Sequence, residues 1–217
     1  VRVNFVAAAD GAATLAGRAG GLGSPTDQQV LRLLRDRSDG ILVGAGTVRA
    51  ESYRPLRDDP DRAKARLARG LAPVAPFVVV SQRLTLNPTD SIIADAVAPT
   101  VIVTCADSDP ERRAQLAAVT PVIVSGTKAV DLVAARAALT DLGLRRLVCE
   151  GGPTLFAAAL AAGIVDELCL TLSPLLTGPG GPRIVDGPLT IDPLRLRLCH
   201  VLEEEGYLFL RYALEPA

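Results

Sequence analysis

Tryptophan and methionine are absent from this 217-residue chain, and histidine occurs once. With three Tyr and four Phe, aromatics make up only 3% of the residues. Stacking on nucleobases therefore has few candidates, and Ala, Val and Leu must fill the core. An excess of either charge is missing too: 23 Lys and Arg face 24 Asp and Glu, for a net charge of −1 and a pI near 5.9. The chain thus lacks the electrostatic footprint of a nucleic-acid or anionic-membrane binder, and the expected partner is a small molecule. No apolar run reaches the roughly 18–20 residues that cross a bilayer. The four cysteines, Cys105, Cys149, Cys169 and Cys199, form no C-x-x-C pair and have one histidine for company, so no metal site is expected. Three lie in apolar runs that read as strands, which predicts reduced, buried thiols and a cytoplasmic location. Because Val1 reads as lying inside a strand, the natural chain is expected to start earlier, and an N-terminal signal stays open.

What is present is a chain that is 49% hydrophobic and long enough to bury a large core. Val1 to Ala9 reads as a strand that ends at Asp10-Gly11. A glycine-rich loop from Gly17 to Gly23 follows. Ser24-Pro25-Thr26-Asp27 then reads as an N-cap, a proline at the first helical position and an acid three residues on, opening a helix to about Arg37. Within it Arg35 is either a solvated charge or an anion ligand. Ile41 to Glu51 reads as strand, glycine turn and short helix. It fails as a dinucleotide-binding G-x-G-x-x-G, because Arg49 takes the third glycine's place. Tyr53 to Pro76 is expected to be a loop with one short helix near Arg62 to Arg69.

Phe77 to Arg83 is a strand ending in Ser81 and Arg83, a pairing better suited to a 2′-phosphate than to free ribose hydroxyls, which leans towards NADP. Strands at Thr100–Thr104 and Val122–Val124 alternate with helices that start at Asp109 and Asp131. Next comes the stretch Arg146 to Leu155: an apolar strand, Glu150, the two-glycine turn Gly151-Gly152, and Pro153 at the first position of a helix. Glycines let a backbone approach a bulky ligand, and the free N–H groups of a helix start favour an anion. Gly163 stops that helix. A strand to Ser173, a Gly/Pro-rich loop from Pro174 to Pro188 and a hairpin over Leu194–Glu203 and Tyr207–Leu214 complete the chain. Strands alternating with helices imply an α/β fold with a mainly parallel sheet and a C-terminal antiparallel hairpin. No stretch has linker composition, so a single domain over 1–217 is expected.

Asp10-Gly11, Ser24-Pro25, the Ile41–Glu51 unit, Glu150-Gly151-Gly152-Pro153-Thr154-Leu155 and the Leu160–Leu168 exit together resemble the reductase of riboflavin biosynthesis. That family corresponds to the C-terminal half of the bifunctional deaminase-reductase and has the dihydrofolate reductase-like fold. The resemblance covers nearly the whole chain, and the zinc deaminase half is absent. It implies an NADPH-dependent oxidoreductase that converts a phosphoribosylamino-pyrimidine to its ribitylamino form, in a homodimer. The apolar Leu175, Leu176, Ile184 and Val185 of the Gly/Pro loop are either interface material for such a dimer or part of a loop tucked on its own core. By resemblance the cofactor lies along Val6, Thr47, Glu51, Ser81, Gly151, Gly152, Pro153, Thr154 and Leu155. Arg35, Leu56, Arg57 and Glu150 take the substrate. Glu51 is the candidate catalytic residue, an orienting group and proton donor, with water as the other donor. Where the family carries a serine two residues before Asp-Gly this chain has Ala8, and Ala19 and Gly21 stand where bifunctional members have a serine and an aromatic.

Three other readings stay open on sequence alone. One is dihydrofolate (pterin) reduction on the same fold, although that family's tryptophan motifs are missing. The second is a non-catalytic NADP-binding regulatory module, and the third a phosphoribosyl-handling transferase.

Overall fold

A computed structural model of the chain describes residues 1–188 and 192–215. The chain forms two compact units, Val1–Leu34 with Val148–Ala217, and Arg35–Leu147. In the first, β1 (Arg2–Ala8) runs parallel to β6 (Leu147–Cys149) and β7 (Glu167–Ser173). β8 (Leu196–Glu204) and β9 (Tyr207–Leu214) close it as an antiparallel hairpin, with β9 against β7, in the order β6-β1-β7-β9-β8. The second unit holds β2 (Gly40–Gly44), β3 (Phe77–Val80), β4 (Val101–Thr104) and β5 (Val122–Val124), all parallel, in the order β5-β4-β3-β2. The expected mainly parallel sheet with a C-terminal hairpin is therefore present.

Seven helices are described: α1 (Pro25–Asp36), α2 (Ala45–Ala50), α3 (Pro60–Leu67), α4 (Ser91–Ala94), α5 (Pro110–Ala117), α6 (Leu132–Asp141) and α7 (Pro153–Ala161). How they start divides them. α3, α5 and α6 begin after Asp59, Asp109 and Asp131, whose carboxylates each accept two first-turn N–H groups. α2 and α7 begin after Gly44 and Gly152, with no side-chain cap. Asp-capped helices have satisfied starts, whereas the two glycine starts leave first-turn donors for another acceptor.

The cores follow from the strands. Ile41, Val43, Val78, Val79, Ile102 and Val103 are fully buried in one unit, and Val3, Leu22, Cys149 and Ala159 in the other. Three cysteines are buried and free as expected, but Cys199 is half-buried, because β8 is exposed along almost its whole length. β3 stops at Val80, short of the expected Arg83. Ser81 begins a turn there: its N–H donates to the Val103 carbonyl, its Oγ accepts from the Thr85 N–H at 3.2 Å, and Leu84 takes a positive φ of 48°. The four-residue α4 was not anticipated, being too short for a periodicity signal.

Just before β2, Asp39 accepts from the Arg146 N–H at 2.6 Å and from its Nε and Nη2 at 3.2 and 3.1 Å. Burial works against the ionised form, yet the Arg146 donors hold the Asp39 carboxyl below its ordinary value. A depressed folded pKa stabilises above the unfolded value of about 3.9, and the contribution disappears as pH falls through the lower folded value. Asp39→Asn is therefore expected to flatten the acid-unfolding limb below about pH 4. Superimposable limbs in circular dichroism would show that the pair contributes nothing.

Candidate active site

In the first unit the site is built on the turn after β6. Glu150 is 8% exposed. Gly151 has a φ of 80°, and a Cβ placed on it would lie 2.5 Å from Cζ of Phe5 on β1. Phe5 in turn stacks on Phe156 of α7, ring centroids 5.3 Å apart. Only glycine meets both conditions, the left-handed backbone and the ring beneath it. The Gly151–Gly152 peptide is cis. Pro153 occupies the first position of α7 and has no N–H to satisfy, so the first-turn donors are those of Thr154 and Leu155. Thr154 is exposed, whereas the Leu155 side chain is 8% exposed and belongs to the core, leaving its backbone for any ligand. Val6 is half-buried and packs on Ala8, Ala12 and Leu22.

Beside this turn Cys149 is inert as a nucleophile: burial pushes its thiol up to about 12. The Asp10-Gly11 pair proves to be an anchor. Asp10 accepts from the N–H groups of Thr177 and Gly178 at 2.7 and 2.9 Å, which ties the Pro174–Pro188 loop to the end of β1. Asp27 departs from expectation. Ser24 Oγ does accept the Asp27 N–H at 3.1 Å, as a cap should. The Asp27 carboxylate, however, lies buried at 6% exposure and accepts from Thr171 Oγ1 on β7 at 2.7 Å. Its fitness as a helix-start acid hid it, because nothing in the sequence ties it to a residue 144 positions away.

In the second unit Thr47 and Glu51 stand four residues apart at the end of α2, with the Glu51 N–H on the Thr47 carbonyl at 2.9 Å. Spacing of that kind puts both on one helix face. Arg35 lies over two rings at once, 5.7 Å from the centroid of Tyr53 and 5.8 Å from that of Phe77. These aromatics, missed in the sequence reading, fix the guanidinium plane. Leu56 and Arg57 line a crevice of about 10 Å³ with Asp36, Arg62 and Arg66, which has room for about one water. Ser81 is 5% exposed and engaged in its turn, while Arg83 is exposed. Next to that turn, Arg49, Tyr53, Arg54, Thr85 and Asn87 line an open groove of about 370 Å³. Among the described residues no cluster of His, Cys, Asp and Glu could hold a metal, and no helix is long and apolar enough to cross a membrane.

The comparisons with known proteins agree with one another. Residues 1–205 match the family model of the RibD C-terminal domain. Over 204 residues the chain is 34% identical to the 2,5-diamino-6-ribosylamino-4(3H)-pyrimidinone 5′-phosphate reductase of Methanothermobacter thermautotrophicus, covering 91% of this chain and 90% of that protein. A pyrimidine reductase-like protein from Corynebacterium diphtheriae superposes with a TM-score of 0.91 at 28% identity, over 100% of this chain and 92% of the other. Dihydrofolate reductase from Enterococcus faecalis superposes with a TM-score of 0.51 at 13% identity over 99% and 96%, a likeness of fold alone. By the extent of the family match and the identity to its stand-alone relative, the chain belongs to the RibD C-terminal domain family.

Proposed function

We propose that this chain is an NADPH-dependent reductase that converts a phosphoribosylamino-pyrimidine to the ribitylamino-pyrimidine phosphate in riboflavin biosynthesis. The observation that carries the reading is the turn from Glu150 to Leu155, in a chain 34% identical to a stand-alone pyrimidine phosphate reductase. Its fit to the cofactor rests on an uncapped helix start that suits a pyrophosphate. Val6, Gly152, Pro153, Thr154 and Leu155 belong to the cofactor side in one unit. In the other, Thr47 and Glu51 take part, and Ser81 stands at the adenosine end. Arg49, Arg54 and Arg83 near that turn supply cations for a 2′-phosphate, which supports NADPH over NADH.

When bound, NADPH would supply a hydride to the sugar's anomeric carbon once ring opening has made its bond to nitrogen an imine, the C=N bond becoming single as the nitrogen takes the balancing proton. Glu51 orients the reacting group and gives the balancing proton from its carboxyl, with water as the alternative donor. Arg35, held flat by Tyr53 and Phe77, takes the substrate phosphate through its paired N–H donors. Leu56 and Arg57 border that substrate. Glu150 accepts hydrogen bonds from the pyrimidine or the ribose.

Loss of NADPH absorbance with the authentic pyrimidine tests the reading. Tight NADPH binding without oxidation would instead mark a regulatory module, and sugar-phosphate binding indifferent to nicotinamide a transferase. Glu150→Gln is expected to lower kcat/KM for the pyrimidine about ten- to a hundredfold, chiefly through KM. An unchanged KM would remove Glu150 from the substrate.

The same reading makes the chain one cytoplasmic domain that pairs as a homodimer. The two units join within α1 and within β6 rather than through linkers, which supports a single domain. Exposed Leu175 and Leu176, together with Leu196, Leu198, Val201 and Leu202 on β8, supply an apolar surface for a second copy. Sedimentation at a single-chain mass would exclude the dimer.

A further inference from the structure

In the second unit Arg112 stands in the first turn of α5, whose N–H groups Asp109 caps, that of Arg112 among them at 3.2 Å. A cation there meets the positive end of the helix dipole, an unfavourable place unless the side chain is engaged elsewhere. It is engaged on the segment that follows Ser81. Arg112 Nε donates to the Leu84 carbonyl at 2.7 Å, and its Nη2 donates to the Leu86 carbonyl and to Asn87 Oδ1, both at 3.3 Å. One guanidinium thus clamps three successive acceptors of a loop 25 to 28 positions back in the chain.

Leu84 is the strained residue of that loop. It is fully buried and takes a φ of 48°, a left-handed conformation that leucine avoids. Such strain persists only where the surroundings over-determine it, and it gathers at ligand clamps. The Leu84 carbonyl and the Thr85 N–H belong to one planar peptide group. Arg112 holds the oxygen of that group, and Ser81 Oγ accepts its N–H at 3.2 Å, so the group cannot rotate without losing both bonds. Thr85 Oγ1 in turn accepts from Arg49 Nη1. A hydroxyl has one proton to give besides its acceptor sites, and that of Ser81 is committed to no described residue. Arg49, Thr85 and Asn87 line the open groove of about 370 Å³, whereas Arg112 does not.

We infer that Arg112 is a positioning residue for the adenosine end of the cofactor: by fixing the Leu84–Thr85 peptide it keeps Ser81 Oγ and the Arg49 guanidinium in place for a 2′-phosphate. This deepens the proposed function and rests on it, since Ser81 and Arg49 are assigned to that end there. The consequence is coenzyme choice. A guanidinium and a hydroxyl bind a phosphate through charge-assisted hydrogen bonds that a 2′-hydroxyl cannot return. Loosening the clamp therefore weakens the phosphorylated dinucleotide and hardly touches its unphosphorylated counterpart. Nothing in the sequence singles Arg112 out, because an arginine after Asp-Pro-Glu reads as a solvated charge on a helix start.

Calorimetry with NADP+ and NAD+ on the full chain tests the assignment, comparing wild type with Arg112→Gln, Arg112→Lys and Arg113→Gln. Arg113 is the control, since it neighbours Arg112 on α5 but donates to the Ala106 carbonyl and to Ser108 Oγ. Arg112→Gln is expected to weaken NADP+ about tenfold and NAD+ less than about twofold, with Arg112→Lys, which keeps one donor head, between it and wild type. Arg113→Gln is expected to keep the wild-type ratio. A ratio of two affinities does not depend on the fraction folded, and Arg112→Lys carries the comparison if Arg112→Gln fails to fold. In turnover, Arg112→Gln is expected to raise the NADPH KM while kcat and the pyrimidine KM stay within about twofold. An NADP+ to NAD+ ratio that Arg112→Gln leaves unchanged, or that falls equally in Arg113→Gln, would overturn the assignment while leaving the reductase reading intact. A wild type without preference for NADP+ overturns it as well. If NADP+ binds selectively but no pyrimidine is reduced, the reductase reading fails and the binding ratio in Arg112→Gln still decides the clamp.

Discussion

Gly151→Ala is expected to lower Tm by roughly 5–10 °C and to weaken NADPH binding at least about tenfold. Two costs combine at this residue. A φ of 80° is strained for alanine, on the order of 1–3 kcal/mol. The new methyl would also sit 2.5 Å from Phe5 Cζ, forcing that ring off its stack with Phe156, worth about 0.5–1.5 kcal/mol beyond its area. Because Phe156 belongs to the first turn of α7, the displacement reaches the N–H groups offered to the cofactor. The double variant Phe5→Leu with Gly151→Ala relieves the overlap but not the backbone strain, so it is expected to recover part of the Tm. A single variant with wild-type Tm and NADPH KM would show that the turn has no need of glycine.

Arg66→Leu is expected to cost on the order of 3–5 kcal/mol, a Tm loss of roughly 10 °C in a protein of this size. Arg66 of α3 is 3% exposed, and its guanidinium donates to three carbonyls: Ala72 and Arg35 at 2.7 Å and Ser38 at 2.9 Å. Two of these belong to the end of α1 and the turn after it, where last-turn carbonyls lack intrahelical donors. Burial pushes the Arg66 pKa down, with Asp36 opposing, yet an arginine stays charged throughout the accessible range. Leucine fills the space and removes three hydrogen bonds at once, with the Arg35 carbonyl keeping only the Ser38 N–H at 3.2 Å of the donors named here. Arg66→Lys keeps one donor head and is expected to fall between, because an ammonium cannot span the three acceptors of a planar fork. Equal denaturation midpoints for wild type and Arg66→Leu would sink the idea. Since the bond to the Arg35 carbonyl also places a residue assigned to the substrate phosphate, a rise in pyrimidine KM is expected alongside.

The parts of the fold legible in the sequence are those whose signal is local. Asp109 and Asp131 before proline or apolar runs announced α5 and α6, Gly163 announced the end of α7, and the unbroken apolar runs at Ile41 and Phe77 announced buried parallel strands. The glycine turns at Gly44 and Gly151 stood out for the same reason, since each is written within a few consecutive residues. Cys199 misled because an apolar stretch reads alike in a central strand and at a sheet edge. Ser81 was expected at a strand's end, but a turn held by Thr85 and a left-handed Leu84 had already taken it.

By itself the sequence determined the α/β class, the two glycine-led helix starts and the family. These rest on patterns of adjacent residues, and adjacency survives in an extended chain. Tertiary structure alone decided why Gly151 must be glycine, what Arg66 caps, which rings hold Arg35, and that Asp27 belongs to Thr171 rather than to its own helix start. Each of these joins residues far apart in the chain across a few ångströms. A carboxylate three residues from a serine carries the same local signature whether it caps a helix or is buried against a strand. The register of β1 on β7 and the packing of α1 over them remove that ambiguity, because they strip water from Asp27 and leave Thr171 as its donor.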